Sequence, residues 1–148
     1  MSQSLDQVLL HFVTSTKHRT PLITPTVRPH LHAYLVGILQ KIGCPSLQTG
    51  GVEDHIHILF SLGRTLPVCE VVEEIKKSSS KWMKTQGIPT FSWQSGYGIF
   101  SVAESQTAHV VNYIQNQEKH HQKISFQDEY RYILNHRKIA FDERYVWD

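Results

Sequence analysis

The stretch GGVEDHIHILF, residues 50–60, sets two histidines one residue apart inside a run that otherwise has the composition of a buried strand. Ile56, Ile58, Leu59 and Phe60 are the β-branched, aliphatic and aromatic residues that suit a pleated surface. Successive strand side chains alternate faces, so His55 and His57 point one way while Ile56 and Ile58 point the other. The stretch therefore predicts a strand at 56–62 that carries two imidazoles on one side. Segment 46–52 predicts a second short strand. A tight connection at Gly50-Gly51 or Glu53-Asp54 would join the two as a hairpin.

Outward from the hairpin, 8–16 (VLLHFVTST) reads as a strand. Thr24-Pro25 then supplies a helix start, with Thr24 as the candidate N-cap. Leu31, Tyr34, Leu35, Ile38, Leu39 and Ile42 recur at helical spacing until Gly43 ends that helix. After Pro67 the spacing predicts a helix over 68–84, with Val68, Val71, Val72, Ile75 and Trp82 inward and Lys77, Lys81 and Lys84 on another face. A strand at 97–102, a helix at 107–122 and a helix at 126–135 follow. The first six elements have the order of a split βαβ, ferredoxin-like fold, an antiparallel sheet with helices on one face. The fold class is α+β.

The 148 residues fit a single domain, 1–148, because one hydrophobic core commonly serves roughly 100–200 residues. With 40% hydrophobic and 19% charged residues, disorder is not supported. A net charge of +2, with ten histidines that titrate near pH ~6.5, permits a polyanionic partner without requiring one. Cys44 and Cys69 match no zinc or redox spacing, and no run of ~18 apolar residues or N-terminal signal pattern is present. The expected location is the cytoplasm.

Imidazoles ~6–7 Å apart along a strand can share a divalent metal, for which zinc, copper, nickel, iron and manganese all suit nitrogen donors. They can equally be a solvated or hydrogen-bonded pair. Glu53 and Asp54 are candidates for orienting the imidazoles, or are exposed turn residues. In HVVNYIQNQEKHH, Tyr113, Gln117 and His120 lie along one helical stripe, while Val110, Val111 and Ile114 occupy the adjacent face for packing on the sheet. Lys77, Lys81 and Lys84, and Lys17 with Arg19 beyond the first strand, are candidate phosphate contacts or ordinary solvated charges.

Taken in order, DHIHILF, SSSKWMK, WQSGYGIFSV, YIQNQEKHH, FxDEYRYIL and FDERYVWD resemble the single-tyrosine transposases of the HUH endonuclease superfamily, which include the insertion-sequence and REP-associated tyrosine transposases. The resemblance covers nearly the whole chain. It implies a ferredoxin-like domain, with C-terminal helices carrying a nucleophilic tyrosine, that cuts and rejoins single-stranded DNA with hairpin ends through a 5′-phosphotyrosine. It implies Tyr113 as nucleophile, and His55, His57 and Gln117 as ligands of Mg²⁺ or Mn²⁺; read from their positions beside these residues, Glu53, Asp54 and His120 are candidate outer contacts, and Glu53 and Asp54 candidate ligands as well. It further implies a homodimer in which the tyrosine can complete the partner's site in trans. Two rival readings stand beside it: a histidine-triad-like nucleotide hydrolase, which would want a further alternating histidine where Leu59 stands, and a non-catalytic nucleic-acid-binding ferredoxin-like module.

Overall fold

The computed structural model describes residues 2–148. Strand β1 (Leu9–Ser15) leads through a basic turn at 17–19 into helix α1 (Arg28–Lys41). Strands β2 (Ser46–Gly51) and β3 (His55–Ser61) form the hairpin, and α2 (Val68–Thr85) and β4 (Gly98–Val102) complete the six-element unit. The sheet order is β2-β3-β1-β4 with every pairing antiparallel, the ferredoxin-like arrangement. Among the described residues no helix is long and apolar enough to cross a membrane.

The alternation read from HIHILF decides what each face carries. Ile56, Ile58 and Phe60 join Phe12 of β1 on one face, where Leu31, Leu35 and Leu39 of α1 and Val71, Val72 and Ile75 of α2 bury them. Fully burying a side chain of this size contributes about 1.5–3 kcal/mol relative to leaving it exposed. This cluster is the main core. Trp82 stacks on Tyr34, with ring centroids 4.9 Å apart, and so clamps α2 to α1.

The other face is not open. Helices α3 (Thr107–Gln115), α4 (Gln117–His120) and α5 (Phe126–His136) cover it, so the sheet is clad on both sides. Ile114 packs with Leu9, Leu59 and Val102, and Val110 and Val111 lie against the same cluster. Phe126, Tyr130 and Leu134 of α5 pack on Val13 and Phe100.

Two local expectations need correction. Thr24 is not a regular N-cap: its Oγ1 accepts from Val27 N at 3.5 Å, and a turn precedes α1, which begins at Arg28. The predicted helix over 107–122 is interrupted at Asn116 (φ −99°, ψ 20°), giving α3 and α4. The Asn116 side chain bonds back to the Asn112 carbonyl at 2.8 Å, a local competitor of helical hydrogen bonding.

Gly50 permits a close approach that fixes the depth of α3. A Cβ at that position would lie 2.6 Å from the Ile114 carbonyl oxygen and 2.8 Å from its Cγ2. Gly51 (φ 152°) has the same necessity from the other side, since a Cβ there would collide with the His55 carbonyl.

Candidate functional site

Val13 pairs with His57 and Ser15 with His55, so both imidazoles lie in the middle of the sheet, on the face covered by α3–α5. Neither is solvent-accessible. Each buried ring nitrogen must then find a partner within the protein. His55 Nδ1–H donates to Asp54 Oδ1 at 2.7 Å, and its Nε2 donates to Gln117 Oε1 at 3.0 Å. Both acceptors are oxygens, so the ring is an imidazolium. Burial alone would lower its pKa, but the bonds to Asp54 and the Glu129 carboxylate outweigh that and push it up to about 9.

His57 is different. Its Nε2 donates to Glu129 Oε1 at 2.9 Å, while Nδ1 lies 2.8 Å from His11 Nε2. Burial pushes His57 below the ordinary imidazole value and brings His11 down to about 3. The pair is therefore neutral at pH 7, with His11 donating to His57.

Glu129, on the first turn of α5, is the centre of the cluster. Oε1 serves His57 and lies 3.5 Å from His55 Nε2. Oε2 accepts from Gln117 Nε2 at 3.1 Å and from the Tyr113 hydroxyl in a short bond, with His121 Nε2 at 3.2 Å. Burial alone would raise this carboxyl, yet His57, His121 and His55 together hold it well below the usual carboxylate range. Tyr113 moves the other way: burial, then the Glu129 charge, pushes the phenol far above its ordinary value. His121 Nδ1–H donates to the Ile124 carbonyl at 2.8 Å, which turns Nε2 toward Gln117 Oε1 at 2.9 Å.

The ligating atoms of His55, His57, His121 and Glu129 all lie within 4.8 Å of one another. Around an ion with bonds of ~2.1 Å, opposite ligands are about 4.2 Å apart, so a slight contraction of this set would enclose a divalent cation. Asp54 would hold the His55 proton on Nδ1 and leave Nε2 free, the usual role of a carboxylate behind a ligating imidazole. The donor set fits a metal, and Gln117 Oε1, 3.0 Å from His55 Nε2 and 2.9 Å from His121 Nε2, stands beside it as a further oxygen donor.

Residues 4–117 match the family described as IS200-like transposases. The chain belongs to that family. It is a DNA transposase of the single-tyrosine type, as the resemblance implied. Among solved structures, a candidate transposase from Deinococcus radiodurans R1 is similar at 21% identity and TM-score 0.63, covering 79% of this chain and 98% of that one. A REP-associated tyrosine transposase bound to a REP hairpin is similar at 16% identity and TM-score 0.61, covering 84% of this chain and 76% of that one. Both show the fold. No curated protein matches the chain.

In this transposase the structure brings together His55, His57, Tyr113, Gln117, Asp54 and, at the rim, His120. His120 packs its ring against Tyr113 at 5.4 Å, and its Nε2 lies 3.2 Å from Glu129 Oε2 outside hydrogen-bonding geometry. Glu53 is not part of the cluster: its side chain is half exposed and reaches toward Arg28 at 3.9 Å. Lys77, Lys81 and Lys84 are exposed on α2, which covers the sheet face opposite the histidines. Lys17 and Arg19 sit closer, in the turn that Thr16 ties to the Asp54 carbonyl through its backbone N–H at 2.8 Å.

Three members of the cluster escaped the sequence reading: His11, His121 and Glu129. A signal for Glu129 was present. Phe126, Glu129, Tyr130, Ile133 and Leu134 follow one helical stripe, so a carboxylate occupies the inward phase of α5.

Proposed function

We propose that this transposase cleaves and rejoins single-stranded DNA through a covalent 5′-phosphotyrosine on Tyr113, beside a Mg²⁺ or Mn²⁺ held by His55, His57 and Gln117. The observation that carries the reading is the sharing of one carboxylate by Tyr113 and His57. The phenol stands within a hydrogen-bond chain of the candidate ligands, where a phosphodiester could contact both.

The residues have distinct work. A free tyrosine is ionised to about one part in a thousand at pH 7, a deficit of roughly 4 kcal/mol, and the burial of Tyr113 beside Glu129 deepens it. At rest Tyr113 is held as a phenol. Glu129 Oε2, already bonded to the hydroxyl, accepts its proton as Oη bonds to phosphorus. The P–O3′ bond breaks and the 3′-oxygen leaves, taking a proton from solvent. When bound, the cation would neutralise charge on the phosphate and stabilise the leaving oxygen. Gln117 and His121, fastened to each other, set the amide oxygen toward His55. Attack by another 3′-hydroxyl on the phosphotyrosine reverses the bond changes without ATP and joins a new strand.

The substrate we read is single-stranded DNA with hairpin ends; the similar REP-associated transposase is bound to such a hairpin. We read residues 1–148 as one endonuclease domain acting in the cytoplasm, because α3–α5 pack on the same sheet as the ferredoxin-like unit. Tyr113 reaches the site of its own chain. A homodimer is read from the edge position of β4, whose free side can pair about a two-fold axis.

Against the hydrolase reading, Leu59 is buried against Leu9, Val102 and Ile114 and is the seat of α3 rather than a place for a third histidine. Incubation with hairpin-bearing single-stranded DNA and Mn²⁺ should give a covalent protein–DNA adduct that disappears in Tyr113→Phe. An undiminished adduct in that variant would overturn the assignment, and nucleotide hydrolysis without any adduct would favour the rival enzyme.

A further inference from the structure

A groove of about 690 Å³ between β4, α3 and α5 has Tyr113 and Glu129 on its lining. That volume lies in the range of small-ligand sites, roughly 300–1,000 Å³. His55, His57 and Gln117 are sealed at 1% exposure or less, so the groove is where the reactive phenol meets solvent. Its outer wall is an aromatic step. Tyr132, 67% exposed, lies over His136 with ring centroids 5.7 Å apart and planes 12° from parallel. Arg137 sits at the mouth, anchored by donating from Nη1 to the Ser101 carbonyl at 2.8 Å, and exposed His109 faces it from α3.

We infer that this groove receives one unpaired nucleotide of the DNA strand next to the cleaved phosphate, its base stacked on Tyr132 and its backbone held by Arg137. The inference rests on the proposed strand-cleavage function and adds to it a site for the flanking nucleotide. A large exposed phenol ring backed by a second ring suits a nucleobase face, because stacking is tolerant of sequence and needs no pairing edge. A fixed guanidinium suits the phosphate. Continuity with the Tyr113 hydroxyl selects the occupant: a strand entering here passes its phosphate over the nucleophile. Duplex DNA would keep its base faces stacked internally and could not use the step.

The test is equilibrium binding of fluorescein-labelled single-stranded dT10, followed by anisotropy, with the full chain in Mg²⁺. Base stacking on one aromatic residue is worth about 1–3 kcal/mol, so Tyr132→Ala should weaken binding roughly 5- to 150-fold while Tyr132→Trp retains it. Arg137→Gln should reduce the salt dependence of binding by about one phosphate contact. Unchanged affinity in Tyr132→Ala would overturn the inference, as would an equal loss for a duplex of the same length. Loss of the adduct in Tyr113→Phe bears on the chemistry, and loss of dT10 binding in Tyr132→Ala bears on the groove. If the unaltered protein ignores dT10 yet forms the adduct with hairpin-bearing DNA, the groove inference falls and the proposed function stands; if it forms no adduct either, the proposed function falls on its own test.

Discussion

The Tyr113 hydroxyl donates to Glu129, and the same carboxylate accepts from His57 through its other oxygen. The proposed nucleophile and a proposed metal-ligating imidazole are thus joined through a residue 16 positions beyond the tyrosine, on a different helix.

Removing the charge but not the shape of that residue tests its part in proton transfer. Glu129→Gln should slow adduct formation about 100-fold or more, the usual scale for loss of a positioned acid–base group. Mn²⁺ affinity, measured by electron paramagnetic resonance, reports separately on coordination. An unchanged adduct rate would exclude Glu129 as the proton acceptor.

His55 gives the metal-free protein a pH signature. Its folded pKa, about 9, lies above the unfolded value near 6.5, so its contribution to stability is complete below about pH 6.5 and is lost as pH rises through 9. At about 1.4 kcal/mol per pKa unit the ceiling on this loss is about 3–4 kcal/mol. Urea melts in chelator should decline across that window, and Asp54→Asn should flatten the decline. Mn²⁺ binding should strengthen over the same range, because the Nε2 proton must leave before the nitrogen can coordinate.

Gly50→Ala should act on the nucleophile from a distance. The added Cβ meets backbone of Ile114, which cannot yield as a side-chain end would, so α3 must lift from β2. A destabilisation of about 1–3 kcal/mol is expected, the usual cost of overpacking, together with slower adduct formation. Gly37, mid-helix in α1 with no atom within 4 Å of a Cβ, is the control, and Gly37→Ala should leave adduct formation unchanged and raise stability by about 0.5–1 kcal/mol.

Within one chain the tyrosine already sits beside the histidines. Mixing Tyr113→Phe with His57→Ala should therefore restore no adduct, since neither chain holds a complete site. Recovery of activity in the mixture would show that dimers exchange the tyrosine.

The sheet and its two outer helices were legible because their signals are local. Alternation in HIHILF and the helical spacings of α1 and α2 were each read within their own segments, with Ser46 and Val68 found as first residues of β2 and α2. The pairing of Tyr113 with Gln117 was legible for the same reason, since one helical turn separates them. His11 and Glu129 reach the site only through tertiary packing, across 46 and 72 positions from His57. The break at Asn116 also escaped the helical reading, because no proline or glycine marks it and the competitor for the backbone is an amide side chain. His121 enters the cluster because of that break and the turn to Ile124, whereas an unbroken stripe favoured His120.

Asn116 places the Tyr113 phenol and the Gln117 amide oxygen on separate short helices, α3 and α4, meeting at a residue whose backbone lies in a sparsely populated bridge conformation. An uninterrupted helix would bind them into one rod, and any displacement of the phenol would drag Gln117 off His55. With the break, the Tyr113 hydroxyl and the Gln117 amide belong to two separate helices that meet on one atom, Glu129 Oε2.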